Sequence, residues 1–283
     1  MKMTNQTPVS IPVEKLHPFE RHPYKVKEDD EMNSLIESIQ TQGILSPLIV
    51  RPIENTTDEY EVISGHRRLR AAEKAGMKEV PAFIYALDRD AAAIAVVDSN
   101  LHREHILPSE KAFAYKLKLD AMNRQGITSG QLGQKWSRDE MAESTEDSSR
   151  QIQRYIRLTN LITEILEYVD SGKMALTPAV ELSYLKEQEQ FDLLETMESE
   201  DCTPSLSQAQ QMKRLSQSGE LNADRIFMML TEQKPNQREK LKIPMERIRG
   251  FFPKEYTAEQ IEASIVKLCE AQYRKRLRDR DAR

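Results

Sequence analysis

The sequence predicts an α+β N-terminal domain, then an all-α domain carrying a helix-turn-helix, then a small helical C-terminal segment. Two observations lead there. Short β-type runs such as "SPLIVRP" and "YEVISG" alternate with helical stretches as far as about residue 88. Beyond that point β-branched runs fade and apolar residues recur at helical spacing. A third observation, composition, agrees: 31% charged residues, 6% aromatic residues and 9 glycines in 283 residues suit a mostly helical protein with thin apolar stripes. The length suggests two or three domains rather than one small core.

Taken in order, residues 1–9 read as a flexible tail and residues 10–105 as the α+β unit. In "DDEMNSLIESIQTQG", Met32, Leu35, Ile36 and Ile39 share one helix face, with Asp29 or Asp30 as cap and Gly43 as stop. The polar "ENTTDE" supplies a turn between two strands, a helix runs from Arg67 to Gly76, and "VPAFIYAL" gives a further strand. Residues 106–203 carry only helical signals. "PSEKAFAYKLKLDAM" opens with proline and serine, as helix N-termini do, and a helix-turn-helix falls at about 138–160. "CTPSLS" reads as a capping turn or a linker, and residues 204–283 form a C-terminal helical region with a basic tail.

Several classes are set aside. Net charge is −5, so any nucleic-acid contact must come from local basic patches. Cys202 and Cys269 offer neither a disulfide framework nor a zinc site and fit a reducing cytoplasm. "MKMTNQTPVS" lacks an apolar signal core, and the longest apolar run, Ala91 to Val97, is too short to span a bilayer. The expectation is a soluble, cytoplasmic protein with no membrane partner. Neither GxxxxGK[ST] nor GxGxxG occurs.

Two stretches carry chemistry. In "ISGHRRLRAAEKAG" a strand-like run ends at Gly65 and a helix starts at once with His66, Arg67 and Arg68. A helix start has unpaired N–H groups and a positive dipole end, so glycine plus arginine there makes a phosphate site, with His66 able to donate a further bond. The competing reading is a solvated helix start, with Arg67 and Arg70 paired to Glu61 or Glu73. In "DSNLHREHILPSEKA", Asn100, Arg103 and Glu104 stand at i, i+3, i+4 and would share one helix face. An amide, a guanidinium and a carboxylate there could meet a base or ribose, a phosphate and a divalent ion.

The third stretch is "RDEMAESTEDSSRQIQRYIRLTNL". Met141 and Ala142 supply the buried side of a short helix, and Ser148 or Ser149 caps a second. Arg150, Arg154 and Arg157 form a stripe at i, i+4, i+7, and no acid occurs from Ser148 to Asn160. Arginine reads guanine or grips phosphate, and glutamine reads adenine. Ser149, Arg150, Gln151 and Gln153 are expected at the bases, with Arg154 and Arg157 on phosphate. The competing reading is a solvated basic face.

Together these stretches resemble the ParB family of chromosome and plasmid partition proteins. Gly65-His66-Arg67-Arg68-Leu69-Arg70-Ala71 is similar to that family's G-E-R-R-x-R-A, and Ser99-Asn100-Leu101-His102-Arg103-Glu104 to its E-N-x-Q-R-E. Pro108-Ser109-Glu110-Lys111-Ala112 resembles its Pro-x-E-x-A helix start. "GILSPLIVR" resembles its G-x-x-Q-P-x-x-V-R, and "HPYKV" stands at its Q-P-R segment. The resemblance covers about residues 10–200. It implies a ParB/sulfiredoxin-like fold for the N-terminal domain, binding of CTP with Mg²⁺, and recognition of a double-stranded DNA site by the helix-turn-helix. It also implies a dimeric clamp, nucleoid association, slow CTP hydrolysis rather than metabolic catalysis, and a ParA-type ATPase partner. Carried over, Gly65, His66, Arg67, Arg68, Asn100 and Arg103 bind nucleotide, and Glu104 assists the metal. His66, Ser99 and His102 depart from the family's glutamate, glutamate and glutamine, which bears on magnesium and hydrolysis. Only Lys2 is basic in the first ten residues, where the family often carries the residue that stimulates its ATPase. Sulfiredoxins share the fold and carry a Gly-Cys-His-Arg corner, but Ser64-Gly65-His66-Arg67 has no cysteine to attack a sulfinate. The helix at Ala258 to Leu268 either pairs with a second copy or packs on its own domain. The basic tail Arg274 to Arg283 could touch DNA non-specifically. Two other function classes stand beside the clamp: a DNA-binding regulator with a vestigial pocket, and a phosphotransfer enzyme, which the shortage of carboxylates near Gly65 and Asn100 disfavours.

Overall fold

The computed structural model describes residues 7–101, 103, 105–124, 139, 141–142, 145, 147–231, 245–253 and 255–281, as backbone alone beyond residue 274. Five strands form one mixed sheet in the order β1-β5-β3-β4-β2. They are β1 (Val9–Pro12), β2 (Leu16–Pro18), β3 (Leu48–Pro52), β4 (Tyr60–Ser64) and β5 (Glu79–Ile84). β3 and β4 pair antiparallel, with Arg51 opposite Glu61, and the turn between them places Asn55 and Asp58 at positive φ. The edge strands are short and rich in proline: β1 pairs antiparallel with β5, and β2 runs parallel to β4.

Helices cover both faces of this sheet. Val62 of β4 packs with Leu69 and Ala72 of α2 (His66–Lys74), whereas its neighbour Ile63 packs with Ala92, Ala93 and Val96 of α3 (Arg89–Asp98). Successive strand residues point to opposite faces, so both are fully buried. Helix α1 (Asp30–Gln42) is capped as expected: the Asp29 carboxylate accepts the Met32 N–H at 2.9 Å, and Gly43 ends the helix at φ +72°. Its Met32 and Ile39 pack on Ala71 of α2. Each large apolar side chain buried this way stabilises the fold by roughly 1.5–3 kcal/mol. Arg51 and Glu61 form a buried ion pair at 2.7 Å, and Glu61 also accepts the Glu20 N–H at 3.0 Å.

Helix α4 (Pro108–Arg124) is the spine of the second layer. Ala121 faces α3, and Tyr115, Leu119 and Met122 face Met141 and Ile152. The Ser109 hydroxyl and N–H both donate to Asp170, at 2.6 and 2.9 Å, which ties the start of α4 to the end of the helix Thr163–Asp170. Next along the chain come α5 (Ser149–Leu158), α6 (Thr163–Asp170), α7 (Leu176–Leu182), α8 (Glu187–Ser199), α9 (Leu206–Ser218) and α10 (Ala223–Thr231). "CTPSLS" is a capping turn: Ser205 and Gln208 form a capping box at the start of α9.

The boundary expected at 203/204 moves. Ala209 and Met212 of α9 and Ile226, Met229 and Leu230 of α10 share one core with Ile165, Leu182, Leu193 and Met197. Residues 1–232 form one compact unit and residues 233–283 another. In the second, α11 (Ala258–Asp281) starts at a Thr257–Gln260 capping box, buries Ile261, and leaves Val266, Leu268 and Tyr273 exposed. The stretch from Arg274, read from sequence as a basic tail, continues this helix to Asp281. Among the described residues no helix is long and apolar enough to cross a membrane.

Candidate functional site

Strand β4 hands over to α2 through Gly65, at φ +105° and ψ 23°. That is the left-handed region in which glycine has no steric cost. A Cβ added there would meet Leu48 Cγ at 3.1 Å and Arg68 Nη2 at 3.2 Å. The first bond inside the helix is from the Leu69 N–H to the Gly65 carbonyl at 2.9 Å, and no side chain caps the helix start. The amides of His66, Arg67 and Arg68 therefore open the helix with its positive dipole end uncapped. Arg68 is half buried and donates to the carbonyls of Ser46 and of Pro47 (2.9 Å for the latter), and its burial lowers its pKa. Arg67 pairs with Asp29 at 3.1 Å and Glu31 at 3.3 Å. The partners expected on the solvated-helix reading are thus partly wrong. Glu61 belongs to Arg51, while Arg70 bonds to Glu73 and Glu28, each at 3.2 Å.

The second stretch is not a helix face. Helix α3 ends at Asp98, and Asn100 and Arg103 lie in the turn beyond it, the Arg103 N–H donating to the Asn100 carbonyl at 3.2 Å. Asn100 is buried, and its amide nitrogen donates to the Val96 carbonyl at 2.8 Å and to the Ser99 hydroxyl at 3.1 Å. Those bonds terminate α3, so the turn wins over helix continuation. Arg103 lies 5.7 Å from the Tyr24 ring centroid. His102 and Glu104 lie outside the described residues.

Despite that change of local structure, both stretches meet around one cavity of about 160 Å³. Gly65, His66, Arg67, Arg68, Asn100 and Arg103 all line it, together with His22, Tyr24, Lys25, Val26, Ser64 and Ser99. No carboxylate is among these lining residues. The described residues fit a triphosphate, through guanidinium groups and open amides, and supply no carboxylate for magnesium. A wider neighbouring cavity of about 500 Å³ shares Lys25, Arg67 and Arg103 and is lined by Asp29, Glu31 and Glu110.

Sequence reasoning left His22, Tyr24 and Lys25 out of the site. A signal for them exists at Glu110, whose carboxylate accepts the Lys25 N–H at 2.9 Å and the Leu107 N–H at 3.1 Å. The helix-start motif thereby clamps the "HPYKV" segment against the cavity. The His22 and His66 rings lie against each other, with centroids 3.7 Å apart and planes tilted by 40°. Burial, then the proximity of His22 and Arg103, pulls the His66 pKa down to about 3. Its Nε2 accepts the Phe19 N–H at 3.4 Å. With Nε2 accepting from Phe19, the neutral His66 ring keeps only Nδ1–H as a donor. His22 donates from Nδ1 to the Tyr24 carbonyl at 2.8 Å, and its Nε2 is buried without a partner.

The third stretch builds a separate surface. Ser148 caps α5 by accepting the Gln151 N–H at 3.3 Å. Asp147, just before it, is held by Tyr115 at 2.6 Å and Lys111 at 3.0 Å, both from α4. Ile152 buries against Met141 and Tyr115, which fixes the rotation of the helix. Arg150 and Gln153 are then exposed and Ser149 and Gln151 half exposed. Arg154 donates to Thr177 Oγ1 at 2.6 Å and to Gln151 Oε1 at 3.3 Å. Arg157 is turned inward, donating to the Ser183 carbonyl at 3.1 Å with its guanidinium 3.9 Å from the Tyr184 ring centroid. It is not presented as a phosphate clamp.

Residues 1–101 match the family model described as ParB N-terminal domain. The chromosome-partitioning protein Spo0J of Thermus thermophilus is 33% identical over 184 residues, 65% of this chain and 62% of that protein. The nucleoid occlusion protein of Listeria monocytogenes is 33% identical over 167 residues, 59% of this chain and 57% of that protein. The chain thus spans less than two thirds of the length of these curated relatives. A C-terminally truncated ParB from Caulobacter crescentus, complexed to the centromeric parS site, is 24% identical with a TM-score of 0.42, over 73% of this chain and 98% of that one. The same truncated protein complexed with CTP-γ-S is 27% identical with a TM-score of 0.32, over 62% and 91%.

Proposed function

We propose, from the premise that residues 1–101 form a ParB N-terminal domain in a ParB/Spo0J-type chain, that this protein is a site-specific, DNA-binding partition or nucleoid-occlusion protein. In this reading it acts as a CTP-responsive dimeric clamp on a chromosome, plasmid or mobile element, associated with the nucleoid. The observation that carries the nucleotide half is the convergence of two sequence-distant stretches on one cavity lined by three arginines and no carboxylate. Gly65 and the amides after it, with Arg67, Arg68 and Arg103, hold the triphosphate, and Asn100 shapes the far wall. Arg67 exchanges Asp29 and Glu31 for phosphate. Magnesium and hydrolysis form no part of this reading: the described lining carries no carboxylate, and Glu104, which the resemblance assigns to the metal, lies outside the described residues.

The DNA half rests on α5. Ser149, Arg150, Gln151 and Gln153 meet base edges from its first turns, and Arg154 grips phosphate, as recognition helices do. Calorimetry with CTP beside ATP, GTP and UTP, in the presence of bound cognate DNA, tests the clamp. A preference for CTP is expected, and its absence overturns the switch. Sequencing DNA recovered with the purified protein identifies the site.

A second reading has one specific observation in its favour: Arg67 and Arg68 already have protein partners. On it the protein is a helix-turn-helix regulator with a vestigial pocket. A footprint confined to one operator and unchanged by CTP would establish that reading instead.

A further inference from the structure

His22 is the one cavity-lining histidine with a ring nitrogen that nothing satisfies. Its Nδ1 faces a carbonyl, which can only accept, so Nδ1 carries a proton and the buried Nε2 of the neutral ring is a bare lone pair. Buried polar atoms are seldom left so, and an orphan beside a cationic cavity marks a place for a partner. His66 lies against it with its ring tilted by 40°, and the Nε2 of His66 already accepts the Phe19 N–H.

We propose that His22 is a ligand-contacting residue: as a nucleoside triphosphate enters the cavity, Nε2 takes a proton from solvent and donates a charge-assisted hydrogen bond to a phosphate oxygen. This rests on the nucleotide reading above and adds the proton to it.

The surroundings of His22 give the direction. Its own segment contributes the Tyr24 carbonyl and a phenol whose pKa is pushed up by burial, so Tyr24 brings no charge. From α2 comes neutral His66, from the turn after α3 comes Arg103, and from α4 comes Glu110. Burial and Arg103 disfavour the imidazolium, while the Tyr24 carbonyl and Glu110 favour it, and the sum lowers the pKa of the free protein. A polyanion reverses the balance by offsetting Arg103 and by giving Nε2 an acceptor. Binding and protonation then reinforce each other, and affinity falls as pH rises.

The test titrates CTP, and separately inorganic triphosphate, into the full chain in EDTA between pH 6 and pH 8. Two buffers of different ionisation heat count the protons. Ligand phosphates titrate near neutrality themselves, so the quantity of interest is the difference between wild type and His22→Gln. Wild type should take up close to one proton more than the variant, with a pH dependence of affinity steeper by up to about tenfold per pH unit. Histidine C2–H resonances of the wild type provide a readout independent of the variant's folding: the His22 titration should move upward on binding. Equal proton counts, or an unmoved His22 titration, overturn the proposal while leaving nucleotide binding intact. If neither ligand binds at any pH, with or without magnesium, the nucleotide reading itself falls and takes this inference with it.

Discussion

Helices α2 and α5 both carry arginine in the first turn, yet those turns are finished differently. At α2 the residue before the helix is glycine with positive φ, no side chain caps the amides, and Arg67 and Arg68 turn toward neighbouring carboxylate and carbonyl oxygens. At α5 the residue before the helix is serine, its hydroxyl caps Gln151, and Arg150 is left exposed. An uncapped start in a cavity suits a small anion held against backbone. A capped start on a surface cannot offer its amides and must act through its side chains. The same residue type therefore serves two chemistries, and the capping residue separates them.

The largest way to break this contrast is Gly65→Ala. The new Cβ meets Leu48 and Arg68 in a conformation that L-residues avoid. Chemical denaturation should show a loss of roughly 1–3 kcal/mol, and calorimetry should show no CTP binding. Unchanged stability would mean that the corner is not strained. Arg68→Ala comes next. Removing a half-buried cation should weaken CTP by about ten- to a hundredfold, the span of a charge-assisted bond, while initial DNA binding measured by anisotropy stays intact. If both activities fail together, the two sites are not separate modules.

On the α5 side, Arg150→Ala should cost about 1–3 kcal/mol of site-specific DNA affinity. Arg157→Ala should act instead on thermal stability, by about 1 kcal/mol through lost contact with Tyr184 and Ser183, with little change in the salt slope of DNA binding. Equal effects of the two on DNA would place Arg157 on the surface after all. The smallest effect is a pH signature. His66 is neutral in the folded protein with a pKa of about 3, below its ordinary value of 6.5. The unfolded chain binds the extra proton first, so His66's contribution is fully present above pH 6.5 and is lost as pH falls toward 3. His66→Gln should flatten stability against pH across that window.

Much of this was legible in the residues. Asp29 and Gly43 bracketing α1, the β3 and β4 runs, the Gly65 corner and the Ser148 cap all rest on contacts within a few positions of chain, which local chemistry specifies. β1 and β2 were not visible, because strands of four and three residues beside proline owe their existence to partners far away, Ala82 for Val9 and Tyr60 for Leu16. Asn100 and Arg103 misled for a related reason: their spacing fits a helix face, but the Asn100 amide bonds back onto Val96 and stops the helix first. Glu104 and His102, which bear on metal, lie outside the described residues.

By itself, then, the order of residues determined the caps of helices such as α1 and α5, their apolar faces, and that glycine, histidine and arginine stand together at the end of a strand. Only the tertiary structure decided which charges are free. Arg157 became an internal strut, Arg67 found Asp29 and Glu31, His66 accepted the Phe19 N–H, and His22 was left with an unanswered nitrogen. Those outcomes depend on groups brought together from tens of residues apart. Hydrogen bonding and burial act on distance in space, which local pattern does not encode.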